Sequence, residues 1–112
     1  MKAAFAREAL RLRQHSGLTA EQIGRATCAA PSTVRAWFVR RSHPTGERAE
    51  RIAELSAITE RLERVMPKSY IPVWLSKPLA ALDDAKPLDV IAAGEYKRVA
   101  KVISSIEDPG AV

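Results

Sequence analysis

The chain has few of the residue types that build catalytic, metal and disulfide sites. Its 112 residues include one cysteine, Cys28, and two histidines, His15 and His43. One cysteine cannot form a disulfide framework, and neither histidine has a carboxylate or a cysteine at the spacing of a metal site or a catalytic triad. The adjacent Asp83 and Asp84 would point to different sides of a helix, so they do not make a paired acid site. We therefore expect no enzymatic activity and no metal site.

Long apolar runs and glycine-rich phosphate-binding loops are missing too. No stretch is apolar over the roughly 20 residues that a membrane-spanning helix needs, and charged residues interrupt residues 1–8 before a signal-peptide core could form. Runs of β-branched residues are too short to indicate a sheet. The sequence therefore predicts an all-α cytoplasmic protein with no membrane association and no cofactor.

Positive charge is concentrated at one end of the chain. The net charge is +5, of which residues 1–44 contribute +6, residues 45–66 contribute −1 and residues 67–112 contribute nothing. Seven of the eight basic residues in 1–44 are arginines, whose planar guanidinium suits both phosphate contacts and bidentate contacts to guanine. A basic segment of this kind favours nucleic-acid binding.

The same segment contains a helix, a tight turn and a second helix in quick succession. Thr19 and Gln22 have the spacing of a capping box, which predicts a helix start near Ala20. Residues 27–30 provide the few residues that a tight turn needs. This order is that of the helix-turn-helix, which places its second helix in the DNA major groove.

The second helix is predicted to begin at Pro31, whose missing N–H costs nothing at the first helical position. Val34 and Trp37, three residues apart, would anchor it to the core and leave its other face free for bases. The alternative is a helical hairpin with no role in DNA binding. The predicted DNA-contacting residues are Ser32, Thr33, Arg35 and Ala36 for base edges, with Arg40 and Arg41 for phosphates.

From Leu18 to Pro44 the chain is similar, without a gap, to the Cro/C1 repressor and Xre type of helix-turn-helix. That type reads leucine-threonine-x-glutamate and later serine-threonine-β-branched-x-x-tryptophan, as this chain does. Cys28 stands where the family usually has glycine in the turn, and Ala30 replaces the usual hydroxyl N-cap. A side chain in a left-handed turn costs roughly 1 kcal/mol or more. We therefore expect either a strained turn or one that differs in detail.

Two further helices are predicted around this unit. One runs over about residues 2–15 with Gly17 as its stop, and one over about residues 47–66, with the pairs Glu47/Arg51 and Glu60/Arg64 on its polar side. The stripe of the second helix either closes the core or packs in part against a partner or a second copy. Its apolar residues recur at helical spacing and are Ile52, Leu55, Ile58, Leu62 and Val65.

Pro67 separates a helix-turn-helix domain over residues 1–66 from a second domain over residues 67–112. In the second domain a helix is expected to start at Pro87 and stop at Gly94. A last helix is expected over about residues 95–106, before Asp108-Pro109-Gly110.

This second part resembles the toxin-binding domain of the Xre/MbcA/ParS antitoxins over about residues 70–112. The shared features are an ordered set of apolar, proline and glycine positions. They are Trp74-Leu75, Pro78, Leu79, Leu82, Pro87-Leu88-Asp89, Gly94, Tyr96, Val99 and Ile103.

The resemblance implies an antitoxin of a type II toxin–antitoxin pair. Its expected partners are a RES-domain toxin that attacks NAD and the operator DNA of its own operon, which it represses. A homodimer or a higher toxin–antitoxin assembly is also expected, and any NAD belongs to the toxin. The resemblance further implies that the C-terminal end enters the active-site cleft of the toxin. The expected toxin-binding residues are Trp74, Leu75, Tyr96, Asp108, Pro109, Gly110, Ala111 and Val112.

Two other functions fit the same sequence. One is a stand-alone transcriptional regulator whose second part binds something other than a toxin. The other is an adaptor that does not bind DNA. A toxin partner would leave a stable stoichiometric complex, whereas a lone regulator would bind DNA unaided.

Overall fold

The computed structural model describes residues 2–110, with side chains from residue 5 onward, and this part of the chain is built of helices without a strand. An isolated bridge pairs Leu79 with Ala85. The all-α prediction is confirmed. The helices are α1 (Lys2–Ser16), α2 (Ala20–Thr27), α3 (Pro31–Phe38), α4 (Gly46–Leu62), α5 (Ile71–Leu75), α6 (Pro87–Ala92) and α7 (Tyr96–Glu107), with 3₁₀ turns at Lys68–Tyr70 and Ala80–Leu82.

Local chemistry sets the ends of α2 and α3 as the sequence predicts. Thr19 Oγ1 accepts a hydrogen bond from the Gln22 amide at 3.1 Å, and Gln22 Oε1 accepts one from the Thr19 amide at 3.0 Å. These two contacts form a complete capping box at the start of α2. Pro31 opens α3, and Ala30 at its N-cap provides no side-chain hydrogen bond.

The tight turn between α2 and α3 constrains the backbone at Cys28 and the space around Gly24. Cys28 has φ of 59°, so it adopts the left-handed conformation and carries the strain that the sequence analysis anticipates. A Cβ added to Gly24 would lie 2.5 Å from the carbonyl oxygen of Ala29. Gly24 therefore lets the turn fold back on α2, a requirement that the sequence analysis did not identify.

Helix α4 ends at Leu62, four residues earlier than the predicted end at Met66. Its apolar stripe is buried within the core of this chain at Ile52, Leu55, Ile58 and Leu62. The structure thus supports the interpretation that the stripe closes the core.

One of the two ion pairs expected on α4 has a different partner. Arg51 lies 3.9 Å from Glu47 as expected, and it donates to Glu54 at 2.7 Å. Glu60, however, accepts from Arg11 at 3.2 Å, and no contact with Arg64 is formed among the side chains from residue 5 to residue 110. Because α1 packs alongside α4, a guanidinium from the neighbouring helix is available to Glu60.

A continuous hydrophobic core crosses the predicted boundary at residues 66 and 67. It includes Trp37 and Ile52 from the first part together with Leu75, Ile91 and Ile103 from the second. Helix α2 packs on α6, and α4 packs on α6 and α7. The division into two domains stays a prediction. Within the described residues no helix is both long and apolar enough to cross a membrane.

Candidate DNA and partner interface

Helix α3 has one buried face and one open face. Val34 and Trp37 are almost completely buried and fix the helix to the core, which is the register that the sequence predicts. The side chains expected to meet DNA lie elsewhere on the helix and after its end. Ser32, Arg35, Arg40 and Arg41 are exposed, and Thr33 and Ala36 are half-buried.

Arg35 forms an exposed ion pair with a carboxylate of the neighbouring helix, α2. Its Nη2 donates to Glu21 Oε2 at 2.8 Å, and more than half of each side chain is exposed. An exposed pair of this kind contributes at most about 1 kcal/mol. Arg35 can therefore exchange Glu21 for a base edge at little cost.

The ion pairs of the basic segment separate its arginines into two groups. Arg11 and Arg25 bind carboxylates of α1, α4 and α6, which neutralise part of the charge that the composition places there. Within the part of the chain whose side chains are described, Arg40 and Arg41 have no carboxylate within 4.0 Å. These two exposed guanidinium groups after α3 are thus available to phosphates.

Two side chains of α2, Gln22 and Arg25, connect it to the C-terminal part through hydrogen bonds. Gln22 Nε2 donates to the carbonyl oxygen of Pro72 at 2.9 Å and to Ser76 Oγ at 2.8 Å. Arg25 donates to both carboxylate oxygens of Asp89, with Nη2 at 3.0 Å from Oδ2. The guanidinium holds the pKa of Asp89 below its usual range, and the carboxylate raises the pKa of Arg25. Sequence spacing could not reveal these contacts, because they join residues at least 50 positions apart.

A similar pair attaches the end of α7 to α4. Arg61 donates to Glu107 through Nε at 3.2 Å and to Ser104 Oγ through Nη2 at 2.9 Å. The hydrogen bonds from Arg61 lower the pKa of Glu107. The residues that follow Glu107 therefore leave the molecule from a fixed point.

The residues expected to bind a toxin occupy two separate places. Trp74 is 6% exposed and Leu75 is completely buried, and Tyr96 packs against the same core. Asp108 begins the tail at the C-terminal end of α7, whereas Tyr96 lies at its N-terminal end. At a rise of 1.5 Å per residue the two ends are about 18 Å apart. Pro109 and Gly110 are exposed like Asp108, whereas Ala111 and Val112 lie outside the described residues.

Leu75 has no accessible surface in this structure, where it stabilises the domain. A direct contact of Leu75 with a toxin stays a prediction. The exposed apolar side chains of this region are instead Tyr70 and Val73, with Lys77 Nζ at 3.1 Å from the Tyr70 hydroxyl. Val73 precedes the Trp-Leu pair directly, but a single exposed valine gives no sequence signal.

The structure shows the surroundings of two residues of catalytic type, His15 and Cys28. His15 Nε2 lies 2.8 Å from Glu63 Oε1. This contact joins the end of α1 to the residue after α4. Cys28 is exposed. Among the residues that the structure describes, no group of three possible metal ligands occurs.

Comparison with known proteins finds similarity to a helix-turn-helix family and to antitoxins. A helix-turn-helix family model, HTH_3, matches residues 10–56. The mycobacterial cidal antitoxin MbcA of Mycobacterium tuberculosis strain H37Rv and that of Mycobacterium bovis are each 32% identical over 92 residues, which is 82% of this chain and 81% of theirs. A chain of the crystal structure of the M. tuberculosis MbcT–MbcA toxin–antitoxin complex superposes with a TM-score of 0.81 at 29% identity, covering 96% of both chains. The chain therefore belongs to the MbcA family of antitoxins and carries a Cro/C1-type helix-turn-helix.

Proposed function

We propose that this chain is the antitoxin of a type II toxin–antitoxin pair. It binds and neutralises a RES-type toxin that degrades NAD, and it represses its own operon in the cytoplasm. The observation that carries toxin binding is the structural similarity, over 96% of both chains, to a chain of the MbcT–MbcA complex. The RES type and the NAD-degrading activity are inferred from the resemblance of residues 70–112 to the toxin-binding domain of the family.

DNA recognition is assigned to α3 and the arginines that follow it. In this proposal the open face of α3 enters the major groove, where the planar guanidinium of Arg35 can donate two hydrogen bonds to one guanine. Arg40 and Arg41 contact phosphates and set the position of α3. A homodimer, or a larger assembly with the toxin, would read two half-sites related by symmetry.

Neutralisation is assigned to the C-terminal tail, from Asp108 to Val112. The tail follows a helix end that Arg61 holds in place through Glu107 and Ser104. A segment whose first residue is fixed to a folded domain loses less translational and rotational freedom on entering a cleft than a free peptide does. The buried Trp74 and Leu75 maintain the fold of the domain that presents it. In this mechanism the chain blocks access to the toxin and takes no part in chemistry on NAD.

A stand-alone transcriptional regulator is the second candidate. The observation that favours it is the excess positive charge of residues 1–44, together with the two unpaired side chains of Arg40 and Arg41 within the described part of the chain. Such a module could bind DNA without a protein partner.

One experiment separates the two candidates. The full chain is co-expressed with the protein that the adjacent gene encodes, and the purified material is measured by size-exclusion chromatography with light scattering and by gel shift on the promoter of the operon. The antitoxin proposal predicts a stable stoichiometric complex. A chain that elutes alone and still shifts the promoter would favour the regulator, and a chain that does neither would contradict both.

A further inference from the structure

Helix α2 is the first helix of the helix-turn-helix, and it lies between α3 and the C-terminal part of the chain. It packs against both α6 and α3. The side facing the C-terminal part carries Gln22 and Arg25, and the side facing α3 carries Glu21. In this structure α2 thus connects the DNA-reading helix to the C-terminal part.

The contacts on the C-terminal side are directional. A bidentate pair such as Arg25–Asp89 restricts both the separation and the relative orientation of the two groups. The Gln22 amide adds two donated hydrogen bonds, to a backbone carbonyl and to Ser76. Together these contacts hold α2 at two positions three residues apart, nearly one helical turn.

The turn transmits that orientation to α3. The approach of the Ala29 carbonyl to Gly24 leaves no room even for a methyl group, and α2 packs directly on α3, so the two helices are tightly coupled across the turn. A change in the angle of α2 against α6 therefore changes the direction in which α3 is presented. Errors of about 1 Å in such positioning are sufficient to weaken recognition.

We propose that Ser76 and Asp89 of the C-terminal part, through Gln22 and Arg25, are positioning residues for DNA recognition. The C-terminal part would then belong to the DNA-reading unit as well as to the toxin-binding one. This inference rests on the proposed binding of operator DNA. By the reciprocity of coupled equilibria, any ligand that alters these contacts changes DNA affinity, and DNA changes the affinity for that ligand equally.

Three substitutions test the proposal in the full chain. Asp89→Asn removes the charge that orients Arg25, and Ser76→Ala removes one acceptor of Gln22 without disturbing the capping box. Asp84→Asn is the matched control. Asp84 is exposed, has φ of 64°, which asparagine tolerates, and has no ion-pair partner within the described residues. Both Asp→Asn changes raise the net charge by the same amount, which by itself favours DNA binding.

The measurement is the dissociation constant for the promoter and for an unrelated DNA of equal length, beside the thermal midpoint and hydrogen exchange of the α2 amides. We expect Asp89→Asn and Ser76→Ala to weaken promoter binding roughly 3- to 10-fold, without weakening unrelated DNA, and to speed exchange in α2. Asp84→Asn should leave promoter binding unchanged or slightly tighter. A purely structural role would lower the thermal midpoint while leaving the preference of the folded protein for the promoter intact.

Three results would overturn the inference. Promoter binding that Asp89→Asn leaves unchanged would show that the pair does not position α3, and stronger binding would show that Asp89 instead competes with phosphate for Arg25. Wild-type protein without preference for the promoter would contradict the proposed operator binding, and the positioning role with it. The behaviour of the wild type therefore distinguishes the failure of this inference from the failure of the proposed function.

Discussion

Cys28 stores strain at the residue where α2 turns toward α3. Glycine relieves roughly 1 kcal/mol of left-handed strain but loses about 0.5–1 kcal/mol through its greater freedom in the unfolded chain. We expect Cys28→Gly to keep or slightly raise the thermal midpoint. Cys28→Val should lower the free energy of unfolding by roughly 1–2 kcal/mol, because a β-branched residue resists this conformation. Thermal and urea unfolding measure the stability of both variants. An equal loss of stability in Cys28→Gly and Cys28→Val would show that the thiol contributes more to stability than the backbone conformation does.

Arg35 is the residue on which sequence discrimination is expected to depend most. We predict that Arg35→Ala loses about 1–3 kcal/mol of preference for the promoter over unrelated DNA. Loss of its exposed pair with Glu21 should change stability little. Arg41→Ala is the comparison, because a phosphate contact should weaken all DNA alike and reduce the salt slope by about 1. Gel shifts at several salt concentrations decide this, and equal promoter affinity of wild type and Arg35→Ala would remove Arg35 from the readout.

At the residue scale, the sequence predicts features that depend on near neighbours. The capping box of Thr19 and Gln22 follows from a spacing of three, and the position of Pro31 from its own ring. The pairing of Arg25 with Asp89 could not be predicted, because it depends on how α6 packs against α2. The burial of Leu75 could not be predicted for the same reason, because its sequence neighbours do not reveal which face of α5 meets the core.

Among the elements, α3 depends on a single large anchor. Trp37 is 2% exposed at the centre of the core beneath α3. Trp37→Ala should cost roughly 3–5 kcal/mol and unfold the DNA-reading part, so that DNA binding and the melting transition are lost together. Thermal melts followed by circular dichroism provide the test. A normal melt with lost DNA binding would instead make Trp37 a contact residue and the assigned register of α3 wrong.

Two ion pairs between elements make the fold sensitive to acid. Arg25 lowers the pKa of Asp89 between α2 and α6, and Arg61 lowers that of Glu107 between α4 and α7. The unfolded chain therefore binds protons more readily than the folded one. The stabilisation is present above the unfolded pKa near 4 and is lost as pH falls through the lower folded values.

We therefore expect the thermal midpoint to fall as the pH decreases below about 4. The variant Asp89→Asn with Glu107→Gln should be less stable at neutral pH and should lose less between pH 5 and pH 3. Calorimetry at several pH values measures both. An identical acid dependence in the variant would attribute the effect to other carboxylates.

Element ends were harder to predict than element existence. After Leu62 the backbone tightens to hydrogen bonds three residues apart, with the Arg64 amide donating to Arg61 and the Val65 amide to Leu62, and no stop signal near residue 62 predicts this. In contrast, Pro87 and the last helix carry strong local signals, and both agree with the structure to within about one residue.

At the scale of the whole molecule, one core serves two proposed binding functions. The basic side chains after α3 belong to the first part of the sequence, and the tail follows α7 in the second. The core between them is continuous. This arrangement lets DNA and toxin bind to different surfaces of a single folded unit, consistent with the proposed dual role.

The proposed inhibitory role of the C-terminal tail can be tested without disturbing the folded core. Deleting residues 108–112 removes no buried side chain among those described, so folding and promoter binding should persist. We expect the truncated chain to form a complex with the toxin but to inhibit it less, since larger apolar surfaces usually dominate affinity. Pull-down and NAD measurements with the truncated chain test this. Full inhibition by the truncated chain would assign neutralisation to the body of the domain.

The central claim is that this chain neutralises an NAD-degrading toxin, and the NAD content of living cells tests it most directly. Cells express the protein encoded by the adjacent gene, either alone or together with the full chain at equal or higher amount, and NAD is followed over time. The account predicts rapid loss of NAD with the toxin alone and preserved NAD when the full chain is present. NAD that falls equally fast in both cultures, with both proteins shown to be produced, would contradict it.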